Sequence, residues 1–314
     1  ASSILDGSDK GITGNDRGFS FNSTHVYVAN TSKVVTYYEI GTTNSGTLDE
    51  TGIGGGTLNL FDVVATESGI LASNLALGNA GGTAKLKIYK WENHSSAPTV
   101  LLEFTAPHGS RLGEEFTFSG SANGDGTLHV LDRNSSNAYI WSVATGAIAD
   151  QASPTIINFA GLTNPGATPN INAVFSAGVK YWLVDGFAIA PVLYSEDGQT
   201  ALTNLTGGEI SSNRIGKDIV EFNNKRYYIT TKNGWSGAGF EVYDISGGDL
   251  VTGFNSISPT KKIYTSAFNA NANSNGNGVT HIETAVDVVG GEVHVLSGGA
   301  ANGFEFVKIP GMTK

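Results

Sequence analysis

Gly18-Phe19-Ser20-Phe21, His25-Val26-Tyr27-Val28 and Tyr38-Glu39-Ile40 form the stretch on which the fold turns. Each piece is a short β-branched and aromatic run, and Asn, Ser, Thr and Gly separate them, as turns require. The same three classes return in the same order along the chain. The first recurs as Leu60-Phe61-Asp62-Val63-Val64, Glu115-Phe116-Thr117-Phe118, Asn172-Ala173-Val174-Phe175, Ile219-Val220-Glu221-Phe222 and Ala285-Val286-Asp287-Val288. The second recurs as Ile70-Leu71-Ala72, His129-Val130-Leu131, Tyr181-Trp182-Leu183-Val184, Tyr227-Tyr228-Ile229 and His294-Val295-Leu296. The third recurs as Tyr89-Lys90-Trp91, Trp141-Ser142-Val143, Val192-Leu193-Tyr194, Tyr243-Asp244-Ile245 and Val307-Lys308-Ile309. A less regular fourth run often follows, as in Val100-Leu101-Leu102-Glu103-Phe104, Thr155-Ile156-Ile157-Asn158-Phe159 and Lys262-Ile263-Tyr264-Thr265.

Four short antiparallel strands recurring every ~40–60 residues are the signature of propeller blades. The fold class expected is therefore all-β, a β-propeller of six blades with four antiparallel strands each. The repeat spans the chain, so residues 1–314 read as a single propeller domain. A pair of β-sandwiches would not require strand classes in a fixed order. The last blade lacks a fourth run before Lys314, whereas Ser2-Ser3-Ile4-Leu5 precedes the first blade without a partner. The N-terminal strand is expected to fill that outer place and remove an exposed edge. No segment keeps a helical apolar stripe over eleven or more residues.

Charged residues are 15% of the chain, and the polar surface must come from Asn, Ser, Thr and Gly. The 42 glycines without a G-X-Y period belong to tight turns. The absence of cysteine excludes disulfides, thiol catalysis and Cys-ligated metals. A net charge of −10 and a pI near 5.0 argue against nucleic acid as a partner. No apolar run reaches the ~20 residues of a transmembrane helix. A first residue of Ala1, with this composition, points to a secreted or cell-surface chain whose signal peptide has been removed.

Asp16-Arg17-Gly18, Phe19-Ser20-Phe21-Asn22 and His25-Val26-Tyr27-Val28 resemble the opening of an uncharacterised family of six-bladed propeller domains from Bacteroidetes surface and secreted proteins. The resemblance spans most of the chain and implies an extracellular setting. It supplies no catalytic residues.

Propellers bind ligands at the channel mouth, where residues preceding the inner strands should gather. Those positions hold Arg17, Arg111, Arg214 and His281, and the loops between second and third strands add Arg133, Asp185, Lys232 and Trp235. Arginine presents a fixed fork of donors suited to carboxylate, sulfate or phosphate. The competing reading pairs each Arg with a neighbouring acid such as Asp16, Glu114, Glu115 or Asp218 and makes it a brace between blades. Trp235, in Asn233-Gly234-Trp235-Ser236-Gly237, is the candidate for an exposed ring that could stack on a sugar. Trp91, Trp141 and Trp182 belong to strand patterns and the core. His25, His129 and His294 share one strand slot on separate blades, so packing is expected of them and no metal or cofactor site is assigned.

No G-x-S-x-G, H-E-x-x-H, Walker or dinucleotide motif is present. The expected function is a non-catalytic extracellular binding module for a glycan or acidic small ligand at the channel mouth. Two alternatives stand beside it: a self-associating structural surface protein, and a propeller lyase or glycosidase with its acids on distant blades.

Overall fold

In the computed structural model the described residues are 2–203, 205, 210, 217–232, 239–268, 280–287 and 290–310. The chain begins with β1 (Ser2–Asp6). A first sheet follows: β2 (Asp16–Phe21), β3 (His25–Asn30), β4 (Val35–Glu39) and β5 (Ser45–Thr47), in that spatial order. The second sheet is β6 (Leu58–Thr66), β7 (Gly69–Leu77), β8 (Lys85–Trp91) and β9 (Thr99–Thr105), with the two-residue β10 (Arg111–Leu112) on the far end of β7. The third is β11 (Thr117–Gly120), β12 (Gly126–Leu131), β13 (Asn137–Val143) and β14 (Thr155–Asn158).

The fourth sheet, β15 (Asn170–Ser176), β16 (Val179–Gly186) and β17 (Ile189–Ser195), has three strands, and a bridge from Tyr194 to Ala201 stands where a fourth would run. The fifth comprises β18 (Lys217–Phe222), β19 (Lys225–Thr231), β20 (Phe240–Asp244) and, after the helix α1 (Leu250–Asn255), β21 (Lys262–Thr265). The sixth is β22 (Thr280–Asp287), β23 (Glu292–Gly299) and β24 (Gly303–Pro310). Its outer place is taken by β1, antiparallel to β24 with Ser2 opposite Lys308 and Asp6 opposite Glu305. The architecture is a six-bladed β-propeller closed by its N-terminal strand. By internal contacts the chain forms two units, residues 15–171 with the first three sheets, and residues 1–14 with 172–314.

The strands alternate about their pleat, and within each unit bulky apolar residues of adjacent blades share one core, as Tyr27 with Trp91 and Ile229 with Val295 do. Trp91, Trp141 and Trp182 are all buried, and each indole satisfies its one polar atom on a backbone carbonyl: Asp49, Gln151 and Glu196, at 2.8, 3.1 and 2.8 Å. Helix α1, too short for a periodic sequence signal, is capped by the Asp249 carboxylate on the Thr252 N–H at 2.7 Å. Its Phe254 packs edge-on against Tyr228 at 5.1 Å.

The inner strands are edges, and a side chain from the next inner strand satisfies them. Ser20 Oγ accepts the Ala65 N–H at 2.7 Å. Asp62 Oδ2 accepts the Phe116 N–H at 3.0 Å, and Thr117 Oγ1 donates to the Ile171 carbonyl at 2.6 Å. Farther along, Thr284 Oγ1 donates to Asp218 Oδ2. These junctions are close: a Cβ on Gly18 would lie 2.6 Å from both Asp62 Cα and Val63 N. Gly18→Ala should therefore push β2 off β6 and destabilise the chain by about 1–3 kcal/mol. Chemical denaturation measures this, and an unchanged midpoint contradicts the close approach.

Three buried carboxyls give the fold an unusual pH response. Desolvation raises Asp62 well above the usual carboxylate range and pushes Asp218 up to about 6 and Glu305 up to about 7. A raised folded-state value means the native chain holds protons that the unfolded chain, titrating near 4, has released. Their contribution is complete below about pH 4 and is lost as pH rises through about 6 for Asp218, about 7 for Glu305 and about 8 for Asp62. Glu305→Gln should flatten the fall in melting temperature between about pH 5 and 8 relative to wild type. Superimposable slopes would count against this account.

Candidate functional site

Two constellations with chemical potential lie in residues 15–171. The first gathers at the approach to the third blade. Strand β10 sets Arg111 opposite Leu77, and the Arg111 N–H donates to Asp132 Oδ1 at 2.9 Å. The Arg133 N–H donates to the Arg111 carbonyl at 3.1 Å, which locks the two arginines together. Glu114 is the hub. Its Oε1 accepts from Arg111 Nε at 2.6 Å and Nη2 at 2.5 Å, and from Arg133 Nη1 at 2.7 Å. Its Oε2 accepts the Thr168 N–H at 3.0 Å. The Glu114 side chain is only 2% exposed, whereas the Arg111 and Arg133 side chains are 27% and 32% exposed.

Arg17 belongs to the same group. Its Cζ lies 5.3 Å from the centroid of Phe61, a cation–π distance. Burial lowers its affinity for its proton, while Glu114 raises it and Arg111 lowers it further. One buried carboxylate thus holds two guanidiniums directly and steadies a third through space. The bracing role anticipated for Glu114 is present. Arg17 meets an aromatic face as well as charged neighbours.

Three of the remaining expected residues are described within residues 172–314. Asp185, read as a loop residue on the channel mouth, is the penultimate residue of β16 and is 0% exposed, a core position and not a loop one. The run Tyr181 to Val184 continues into a tight β16–β17 hairpin, with Gly186 opposite Ile189, and leaves no loop there to carry a ligand residue. Lys232 follows β19 and points its Nζ to the Ser266 carbonyl at 3.5 Å. His281 lies on β22 opposite Gly298. Arg214 and Trp235 lie outside the described residues.

The second constellation is one that sequence reading did not single out. At the hairpin ends of the first two blades, His25, Tyr27 and Tyr37 share one face, since His25 and Tyr27 are two apart on β3 and Tyr27 pairs with Tyr37. His94, from the β8–β9 loop of the second blade, inserts among them. It stacks on Tyr37 at 4.0 Å and 15°, meets His25 edge-on at 4.4 Å, and its Nε2 lies 2.8 Å from the Tyr27 hydroxyl. Asn22 Nδ2 donates to the same hydroxyl at 3.2 Å, while Asn22 Oδ1 closes the β2–β3 turn on the Thr24 and His25 N–H groups. Glu67 ties the neighbouring hairpin to this turn through Ser23 N and Oγ, at 2.8 and 2.6 Å.

Asn22, His25, Tyr27, Glu67 and His94 line a cavity of about 380 Å³ together with Thr66, Ser68, Glu92, Asn93 and Ser95, and Tyr37 lies behind His94 outside the lining. That volume is at the lower end of the roughly 300–1,000 Å³ range of small-ligand sites. Desolvation lowers both His25 and His94, with the opposing pull of Glu39 on the former and the like-charge push of His25 on the latter. Burial pushes Tyr27 up to about 12. At neutral pH the pocket therefore presents neutral imidazoles, an un-ionised phenol and two carboxylates. Its described lining contains no Lys or Arg.

Elsewhere, Asp287, Glu292 and His294 place ligand-capable atoms within 4.8 Å of one another. His129, in the slot shared with His25 and His294, is buried against Thr117 Oγ1 at 3.1 Å and serves packing.

Residues 10–311 match the family model described as "Domain of unknown function (DUF4623)". Among solved structures, a DUF4623 family protein from Bacteroides eggerthii DSM 20697 is 20% identical with a TM-score of 0.77, over 95% of this chain and 71% of that one. The computationally designed Ika8 protein aligns at 8% identity and a TM-score of 0.47, over 98% and 100% of the two chains. The exo-β-1,3-galactanase 1,3Gal43A from Clostridium thermocellum aligns at 12% and 0.43, over 84% and 59%. No curated protein matches the chain.

Two outcomes test the site. Glu114→Gln leaves two guanidiniums without their shared anion; since both are partly exposed, the loss of stability should be about 1–3 kcal/mol, below that of a fully buried pair. In NMR titrations, the His25 and His94 side chains should titrate below about 6.5. Values at or above that figure would contradict their enclosure.

Proposed function

We propose, from the premise that this chain belongs to the DUF4623 family, that it is an extracellular, non-catalytic binding module whose ligand is a neutral sugar held in the His25–Tyr27–His94 pocket. The observation that carries this reading is the chemistry of the lining. The pocket offers carboxylates, amides, hydroxyls and the imidazoles of His25 and His94 beside the buried Tyr27, and its described lining has no Lys or Arg to attract an anion. Polyhydroxylated rings use such acceptors and donors on their hydroxyls and set their apolar faces against aromatic or imidazole rings. Glu92 suits the role of acceptor: it is exposed, lines the pocket, and has no hydrogen-bond or ion-pair partner among the described residues. The extracellular setting rests on the low charge and the Asn-, Ser-, Thr- and Gly-rich surface.

An anionic ligand at the arginine group is the second reading, supported by the partial exposure of Arg111 and Arg133. It stands behind the first because both guanidiniums already donate to Glu114.

A panel of neutral and acidic oligosaccharides, followed by calorimetry on the hits, tests both. The expected result is binding of neutral members, weakened about tenfold or more by Glu92→Gln and by His94→Ala, and changed less than about twofold by Arg111→Ala. Binding confined to acidic members and lost in Arg111→Ala would overturn the pocket assignment in favour of the arginine group. Failure of every glycan to bind would overturn both.

A further inference from the structure

The last blade carries a third constellation. Asp287 ends β22 and Glu292 begins β23, and the antiparallel register sets them directly opposite each other. Side chains at directly opposed positions project from the same face with Cβ atoms about 4.5–5.5 Å apart, and like charges placed so repel. His294 is two residues beyond Glu292 and so shares its face. Two carboxylates and an imidazole therefore converge at one hairpin end, all three half-buried.

The geometry is close to that of a metal site. Ligand atoms about 2.1 Å from a tetrahedral ion lie about 3.4 Å apart. His294 Nε2 and Glu292 Oε2 are 3.4 Å apart, and the full set falls within 4.8 Å. The carboxylate of Asp287 is also oriented: its Oδ1 accepts the Gly290 N–H at 2.8 Å. A Cβ on Gly290 would lie 2.4 Å from Oδ2, so a larger residue there would move this carboxylate.

The neighbouring cation is Lys308, opposite His294 on β24, whose Nζ lies 3.6 Å from Glu292 Oε2. A lysine ammonium offsets part of the charge at Glu292, and an ion would take the lone pair of the neutral His294 Nε2 that now faces Glu292 Oε2. A divalent ion would satisfy all three groups at once.

We propose that Asp287, Glu292 and His294 bind a divalent transition ion of the zinc class, with water completing the tetrahedron and Lys308 displaced from Glu292. The imidazole selects against calcium and magnesium, which take oxygen ligands. The ion would fasten β22 to β23 in the blade that β1 closes.

Chelator-treated protein titrated calorimetrically with Zn²⁺, and separately with Ca²⁺, is the test, with circular dichroism verifying that each variant is folded. Zn²⁺ should bind wild type as one saturable event and Ca²⁺ should not. His294→Ala, and the isosteric Glu292→Gln, should each weaken binding at least about tenfold. Lys308→Met should strengthen it, by removing the competing ammonium. The double variant His25→Ala/His94→Ala should bind as wild type does, which separates this site from the other imidazole pair. Undiminished binding in His294→Ala, loss confined to the His25/His94 variant, or no Zn²⁺ binding by wild type would each overturn the proposal.

Discussion

Each blade of this propeller begins with an edge strand, and the structure depends on how those edges are satisfied. An inner strand pairs with one neighbour only, so every second backbone group points away from its own sheet. Left alone in a packed interior, such a group costs about 1–3 kcal/mol. Here a short polar side chain on one inner strand reaches the backbone of the next: Ser20 to Ala65, Asp62 to Phe116, Thr117 to Ile171. The fifth and sixth blades meet side chain to side chain instead, through Asp218 and Thr284. Because these residues are short, the strands must approach closely, and Gly18 marks where a Cβ would not fit.

The same constraint places the arginine group. The segment before β11 must reach back to β6, where the Phe116 N–H meets Asp62, and it pairs with β7 through Arg111 and Leu112. Glu114 is caught between those two anchors, and burial there makes it an effective hub for Arg111 and Arg133. The ring pocket follows a different rule. It forms where hairpin ends of adjacent blades diverge, so a loop residue, His94, can enter from the side and stack on Tyr37. The inner ends of the blades are braced, and the hairpin ends offer the room for a ligand.

Much of the fold was legible because the strand classes recur in a fixed order, and the polar bridge falls within the first of them. Phe19-Ser20-Phe21, Phe61-Asp62-Val63 and Phe116-Thr117-Phe118 carry the bridging residue at the same place in an apolar–polar–apolar triplet. The pairing of β1 with β24 was legible for a related reason, since one run was missing at the end and one was spare at the start. Function was less legible. Asp185 reads as a loop residue because Asp-Gly marks turns, yet the hairpin is so tight that it is buried. His94 sits in an irregular loop and its partners are distant in sequence, with Tyr27 67 residues away. Asp287, Glu292 and His294 fall in two repeat slots whose pattern describes packing; only the strand register brings their carboxylates and imidazole together.

If side chains seal the inner strands as firmly as ladder hydrogen bonds seal the rest, the edge amides they bond are protected like ladder amides. Native-state hydrogen exchange measures this residue by residue. The amides of Ala65 and Phe116, bonded to the Ser20 hydroxyl and the Asp62 carboxyl, should exchange only with global unfolding, as slowly as amides within the β7–β8 ladder. Ser20→Ala should release Ala65 selectively. Rapid exchange of both amides in the wild-type protein, at the rate of exposed edge strands, would contradict the claim.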